Sequence, residues 1–335
     1  MVRAPGTVPT LPRSLAILRE IALARGLEVE VVDRFSGYLL RLRAPGSNRC
    51  FYSGTGPLPA FSGNDMVLGA VCRDKAFCQQ LLQADGIAVP EGGHFFVSAD
   101  RRDCRPAGRE QSDAERFASA LSDNFARPVV VKPNSGARAR NVHLARDLAG
   151  LRRRMHAIAA EDTACLIQAY VDAPEFRLFL VGGEVQFCYA KSRPATEGDG
   201  RASVAELVDR ARAVQAVDED HLAGVLAMRG WRLDSVPARG ERLEIGFVAN
   251  ISAAGSFAGF VEAPGPVRDW CRRLHHTVPL EVMGIDVFSP SRLADAGDLV
   301  VTDVNGSPAL ATLHDLGHED MVRGVWGAIL ERYFA

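Results

Sequence analysis

No apolar run among the 335 residues reaches the length needed to span a bilayer, so no transmembrane helix is expected. Cysteine offers no framework either. The seven cysteines (Cys50, Cys72, Cys78, Cys104, Cys165, Cys188 and Cys271) are odd in number and scattered, and none forms a CxxC pair. That excludes a disulfide scaffold and a zinc-ribbon site, and it suits reduced thiols in a cytoplasm. Excess charge is lacking too. A net charge of −2 gives no bulk attraction to nucleic acid or to an anionic membrane, so small-molecule partners are expected. Met1 to Pro12 has no apolar h-region, which argues against a signal peptide. Internal repeats and low-complexity tracts are missing. What is present is a 47% apolar chain, long enough to bury two or three cores.

The order of patterns predicts an α+β fold with mostly antiparallel sheets. Ser14 is positioned to cap a helix that runs to Arg25, and two strands follow over Glu28–Asp33 and Tyr38–Arg43. This small N-terminal α/β unit, residues 1–63, has too few strands for a full nucleotide-binding domain. A helix over Asp74–Asp85 and strands at Gly93–Val97, Pro128–Lys132, Val142–Ala145 and Ala164–Gln168 organise a first lobe, residues 64–168. Ser112 with Glu115 reads as a capping box between them. The second lobe, residues 169–335, opens with a hairpin around Gly182-Gly183 and ends with an amphipathic helix over Met321–Phe334. His314 and His318 lack further ligands for zinc, and His275-His276 read as a solvated helix face.

Three places carry candidate chemistry. Met283–Phe288 and Leu299–Asn305 are apolar strands containing Asp286, Asp303 and Asn305. Aspartate is a poor strand former, and Asp303 and Asn305 share a face at period two. If the strands are neighbours, three oxygen donors converge, a set suited to Mg²⁺. The spacing equally suits strand-end aspartates. Lys132 leaves a buried strand just before a basic loop holding Arg138 and Arg140. Such a lysine and loop suit a triphosphate, or a plain surface hairpin. The strand Leu166–Gln168 runs into the link Ala169-Tyr170-Val171 and then Glu175. Backbone amides there suit an adenine edge and the carboxylate suits ribose hydroxyls, while an interdomain hinge is the simpler alternative.

With these residues in view, the chain resembles the ATP-grasp ligases, in the branch that holds cyanophycin synthetase and the ligase module of fused glutathione synthetases. The resemblance runs from about Ser14 to the end. Five ordered segments carry it: Arg73-Asp74-Lys75 with Ala84–Gly92; Val130–Pro133; Glu175-Phe176-Arg177-Leu178 with Gly182–Val185; Arg193-Pro194-Ala195 with Gly198-Asp199-Gly200; and Val236–Glu241 with Ala249–Ser252. It implies an ATP-grasp fold, two α+β lobes clamping ATP. It further implies that Lys75 and Lys132 contact the phosphates, with Arg138 and Arg140 beside them. The backbone of Gln168, Ala169, Tyr170 and Val171 holds adenine, and Glu175 takes the ribose. Lys191, Arg193, Arg177 and Asn250 form the catalytic set, and Asp286, Asp303 and Asn305 hold Mg²⁺. The activity implied is ADP-forming carboxylate–amine ligation through an acyl phosphate, acting on amino acids or a short peptide. Relatives often pair, which implies a homodimer.

The sequence also departs from that pattern. The loop after Lys132 keeps only Gly136, and side chains limit how closely its backbone approaches phosphate. Asp303 stands where glutamate is commoner, and Gly246 where relatives usually carry arginine. These departures motivate two alternatives: an ATP-binding regulatory or tailoring protein with degenerate catalysis, and a carboxylate–thiol ligase.

Overall fold

The computed structural model describes residues 10–54, 61–98, 108–136, 140–212, 219–249 and 256–335. An N-terminal helix, α1 (Arg13–Ala24), packs near an antiparallel sheet of β1 (Glu28–Val31), β2 (Leu39–Arg43) and β3 (Cys50–Gly54), in that spatial order. Pro12 precedes α1 without a side-chain cap, so Ser14 lies inside the helix rather than capping it. The β1–β2 turn is closed by Asp33, whose carboxylate accepts from the Phe35, Ser36 and Tyr38 amides.

Two short helices follow. Asp65 caps α2 (Met66–Arg73) by accepting from the Leu68 amide, and Asp74 caps α3 (Lys75–Ala84) by accepting from the Phe77 amide. Asp74 therefore fixes Lys75 as the first residue of a helix. Ala76, Cys78 and Leu82 face the core, whereas Phe77 is exposed.

A four-stranded antiparallel sheet comes next, in the order β4 (Gly92–Phe96), β7 (Ala164–Ala169), β5 (Val129–Pro133), β6 (His143–Ala145). Helices α4 (Gln111–Leu121) and α5 (Leu148–Ala159) cover it, burying Ala114, Ala118, Leu151, Met155 and Ile158 against Phe95, Val129, Val131, Cys165 and Ile167. The capping box of α4 uses Glu110 and Asp113, two residues earlier than the expected pair. Glu115 instead pairs with Arg152 of α5.

The largest sheet has five antiparallel strands: β12 (Ser256–Phe260), β9 (Glu184–Ser192), β8 (Glu175–Val181), β13 (Val282–Phe288) and β14 (Val300–Asn305). One face, with Phe176, Leu178, Leu180, Ile285 and Val287, packs on α8 (Gly265–Thr277) and on Cys78 and Leu82 of α3. The phase of the edge strand is set by a β-bulge. Ile285 pairs with Val304 and Asp286 with Asp303, then the register slips so that Val287 meets Val301. Val301 and Val304 are both buried as a result, although they stand three apart.

Part of the opposite face, with Phe179, Val181, Phe187 and Val282, buries against α1, β2, β3 and α10 (Glu319–Phe334). The N-terminal unit thus shares a core with the C-terminal sheet. Helices α6 (Val204–Arg212) and α7 (Glu219–Met228) pack with the ribbon β10 (Ala195–Glu197) and β11 (Arg242–Glu244) and touch the four-stranded sheet through Val225 and Leu144. The remaining short helix is α9 (Ala311–Asp315). Among the described residues, every recorded strand pairing is antiparallel, and no helix is long and apolar enough to cross a membrane. The six described cysteines carry free thiols. Trp270 and Trp326 are buried and Trp231 packs against a core. His275 is half-buried against the Gly183 turn rather than solvated.

Candidate functional site

One face of the five-stranded sheet carries a row of charges. Strand alternation puts Glu175 and Arg177 of β8 on the same side. The register sets Lys191 opposite Glu175, and Asp286 opposite both Arg177 and Asp303. The row is buried and mutually paired. Arg177 donates from Nε and Nη2 to the two oxygens of Asp286, the second at 2.7 Å. Lys191 Nζ lies 2.5 Å from Glu175 Oε1 and 2.7 Å from Asp286 Oδ1.

These contacts set the charge states. Burial works against the Asp286 carboxylate, yet Arg177 and Lys191 outweigh it and hold the pKa at about 2. Burial also opposes the Lys191 ammonium, but Asp286 and Glu175 more than offset it and keep its pKa above the ordinary lysine value. For Glu175 burial wins over Lys191 and raises the pKa. Asp286 therefore takes the larger share of the two cations, and Glu175 is the weaker acid.

Lys75 and Lys132 reach the same region from other elements. The Lys75 ammonium donates to the Gly136 carbonyl and lies 3.8 Å from Asp303 Oδ1. The loop after β5 is held to the start of α3 by Asn134, a buried residue whose side-chain oxygen accepts from the Ala76 amide and whose carbonyl accepts from the Lys75 amide. Asn134 escaped the sequence reading; its place directly after the lysine strand was the available signal. Lys132 is buried on β5. Burial pushes its pKa down to about 8, Asp303 pulls upward and Lys75 pushes further down. Four cations (Lys75, Lys132, Arg177, Lys191) thus meet three carboxylates (Glu175, Asp286, Asp303).

Other expected residues lie differently. Gln168 turns its side chain away, with Nε2 donating to Gln79 Oε1 at 3.0 Å. The Ala169 amide is committed to the Glu91 carbonyl, so Tyr170 and Val171, past the end of β7, form the link proper. Arg193 does not join the row. It lies over the Tyr170 ring and pairs with Asp172 at 2.8 Å and Glu244 at 3.3 Å. Arg229 completes that second cluster, bonding Asp172 at 2.7 and 2.9 Å and Glu244 at 3.0 Å. Arg140 is exposed and pairs with Glu161. Arg138 and Asn250 lie outside the described residues.

Two glycine signals resolve into structure. Gly198 must lack a side chain, because a Cβ there would stand 2.2 Å from the Ala238 carbonyl oxygen. Asp199 beside it closes a turn by accepting from the Arg201 and Ala202 amides. The Gly198-Asp199-Gly200 segment is thus a turn of the β10–β11 ribbon. Gly246 is buried with Pro194 against it, a Cβ approaching to 3.1 Å, so a large side chain needs Pro194 to move.

The metal donors divide in two. Asp303 is partly exposed, with Lys75 at salt-bridge range only, and Asn305 stands two residues on, its Oδ1 accepting from the Ser307 amide at 2.8 Å. Oxygen donors of this kind fit a hard cation. Asp286 keeps both oxygens on Arg177 and Lys191, so it joins as a donor only by exchanging one of them. Among the described residues no group of three carboxylate, histidine or cysteine side chains is arranged to hold a metal ion.

Comparison with known proteins agrees with this architecture. Residues 72–223 match the RimK-like ATP-grasp domain. The chain is similar to cyanophycin synthetase of Crocosphaera subtropica, 23% identical over 281 residues, covering 78% of this chain and 30% of that protein. It is also similar to the glutathione biosynthesis bifunctional protein of Listeria innocua, 21% identical over 337 residues, covering 96% of this chain and 41% of that protein. A bifunctional glutathione synthetase from Pasteurella multocida superposes with a TM-score of 0.50 at 18% identity, over 91% of this chain and 41% of the other. The chain therefore spans well under two thirds of each of these three proteins. With paired antiparallel α+β lobes and a RimK-like match over residues 72–223, the chain has the ATP-grasp fold.

Proposed function

We propose that the chain is an ADP-forming carboxylate–amine ligase acting on an amino acid or short peptide. The observation that carries this reading is the convergence of Lys75, Lys132, Arg177 and Lys191 from α3, β5, β8 and β9 on the Asp286–Asp303 pair. Phosphoryl transfer asks mainly for positioning and charge neutralisation, and four cations around three carboxylates supply both. The names of the similar proteins, cyanophycin synthetase and a glutathione biosynthesis protein, support ligation.

ATP binds between the sheets, with adenine at Tyr170–Val171 and ribose at Glu175. Lys75 and Lys132 hold the phosphates. Asp303 and Asn305 would hold Mg²⁺, with Asp286 as a further donor once Lys191 turns to the phosphate; the ion would supply charge neutralisation there. A substrate carboxylate oxygen attacks the γ-phosphorus and ADP leaves. The amine then attacks the acyl carbon, inorganic phosphate leaves with its C–O bond broken, and the amine proton passes to solvent. Arg177 and Lys191 grip the acyl phosphate, and the buried row keeps water from it.

Two measurements test this. Mg·ATP at one hundred times its dissociation constant stabilises the fold by about 2.7 kcal/mol, read as a rise in melting temperature. Phosphate release then requires an acid and an amine together. ATP turnover that never needs an amine would sink the ligase assignment. Binding without turnover over a full panel of paired amino acids favours the regulatory alternative, and turnover with a thiol acceptor favours the carboxylate–thiol one. A homodimer and a cytoplasmic location are also proposed, the former testable by light scattering.

A further inference from the structure

The face that carries the charged row changes character beyond Arg177. Toward the Gly182-Gly183 turn it becomes aromatic: Phe179 of β8, then Phe187 and Tyr189 of β9, stacked at 4.8 Å and 6.2 Å between ring centres. Phe257 of β12 leans on Tyr189 at 5.6 Å. Leu313 and Leu316 close the opposite side, and Pro308 meets Arg177 at the inner end. The recess so formed opens to solvent, and among the described residues Arg177 is the one charged residue lining it.

Arg177 is placed to serve both regions. Its Nε and Nη2 hold Asp286, which leaves Nη1 directed elsewhere. Nη1 lies across Gly284, where a Cβ would approach it to 2.7 Å. Glycine at that position lets the guanidinium lie flat over β13, between the row and the recess.

We propose that this recess selects the acid substrate: an amino acid or short peptide with an aliphatic or aromatic side chain, its carboxylate met by Arg177. The inference deepens the ligase reading and rests on it. A guanidinium with a free edge matches a carboxylate and fixes it beside Asp286 and Asp303. The aromatic walls reward apolar burial, and they penalise a charged side chain, which finds no partner beyond Arg177.

Calorimetry on the full chain tests it, with and without Mg·ADP. The ligands are L-leucine, L-phenylalanine and L-methionine, against L-aspartate, L-lysine and L-serine, with the glycyl dipeptides of each. The apolar set is expected to bind at least tenfold tighter. Leucinamide, lacking the carboxylate, is expected to bind at least tenfold weaker than leucine. Leu316→Asp at the exposed rim and Phe257→Ala are each expected to weaken apolar ligands tenfold while Mg·ADP affinity is unchanged. The inference is overturned if polar ligands bind equally well, if no apolar ligand binds, if leucinamide matches leucine, or if both variants bind apolar ligands like the parent. Loss of Mg·ADP binding alone overturns the nucleotide reading, while the ligand series without nucleotide still decides the recess.

Discussion

Two four-membered ion clusters in this molecule, each of two cations and two carboxylates, have different settings. On the five-stranded sheet, Arg177 and Lys191 face Asp286 and Glu175, with side chains between 7% and 17% exposed. At the link after β7, Arg193 and Arg229 face Asp172 and Glu244, and exposure reaches 45% at Asp172. Coulomb attraction is strong in the first and screened in the second. The buried cluster is costly to assemble and harder still to break, because a lost partner strands a charge. The open cluster ties Tyr170's segment to β11 and α7, and its exposed Asp172–Arg229 pair can part while Arg193, 11% exposed, stays on Glu244. Burial, not ion count, separates the two settings.

The sharpest way to break the comparison is Asp286→Asn. It leaves Arg177 and Lys191 with Glu175 alone, and it should cost about 3–5 kcal/mol in a denaturant titration. On the proposed reading, turnover also falls by about 10²–10³. A stability loss below about 1 kcal/mol would mean the row is wetter than its geometry implies. Next in size is Lys132→Met, expected to weaken Mg·ATP by about 2–3 kcal/mol, the worth of a charge-assisted phosphate contact, with no loss of fold stability.

Lys132 also predicts a pH effect of intermediate size. Burial holds its folded pKa at about 8, below the ordinary lysine value of 10.5, with Asp303, Glu175 and Asp286 pulling it up and Lys75 pushing it further down. The unfolded chain therefore holds more protons between those values. The penalty of a buried ammonium is present in full below pH 8 and is relieved as pH rises toward 10.5, so this residue makes stability increase over that window. Phosphates reverse the preference. Mg·ATP binding should take up a proton above pH 8 and weaken as pH climbs, measurable by calorimetry in buffers of different ionisation enthalpy. Proton release on binding would refute the assignment. The smallest effect belongs to the open cluster: a double-mutant cycle of Asp172→Asn with Arg229→Met should give about 0.2–1 kcal/mol of coupling, shrinking in 1 M salt. An Arg177–Asp286 cycle should exceed it severalfold and barely respond to salt.

Period-two alternation and turn chemistry made much of this fold legible. The β8–β9 hairpin, the two acidic strands and the terminal helix all follow from local pattern. The short elements did not. Helix α2, capped by Asp65, has no counterpart among the expected elements, and β3 and β12 pair only because the tertiary fold brings neighbours to them. At the site, sequence named the residues but not their partners. Arg140 and Arg193 were legible as cations, and nothing local says that Glu161 and Asp172 claim them. The aromatic recess was within reach: Phe179, Phe187 and Tyr189 stand at even spacing from Glu175, Arg177 and Lys191, but the row's charges drew the eye.

The bulge in β14 makes deletion tolerance unequal along one short strand. Thr302, whose hydroxyl donates to the Asp286 carbonyl at 3.2 Å, is the surplus residue that brings Val301 inward. Losing it would restore plain alternation, with Val301 and Val304 still buried and Asp303 and Asn305 still on the open side. Losing Val304 instead would invert either the apolar pair or the oxygen donors. A single strand of six residues therefore contains one position that evolution or an engineer can drop and neighbours that it cannot.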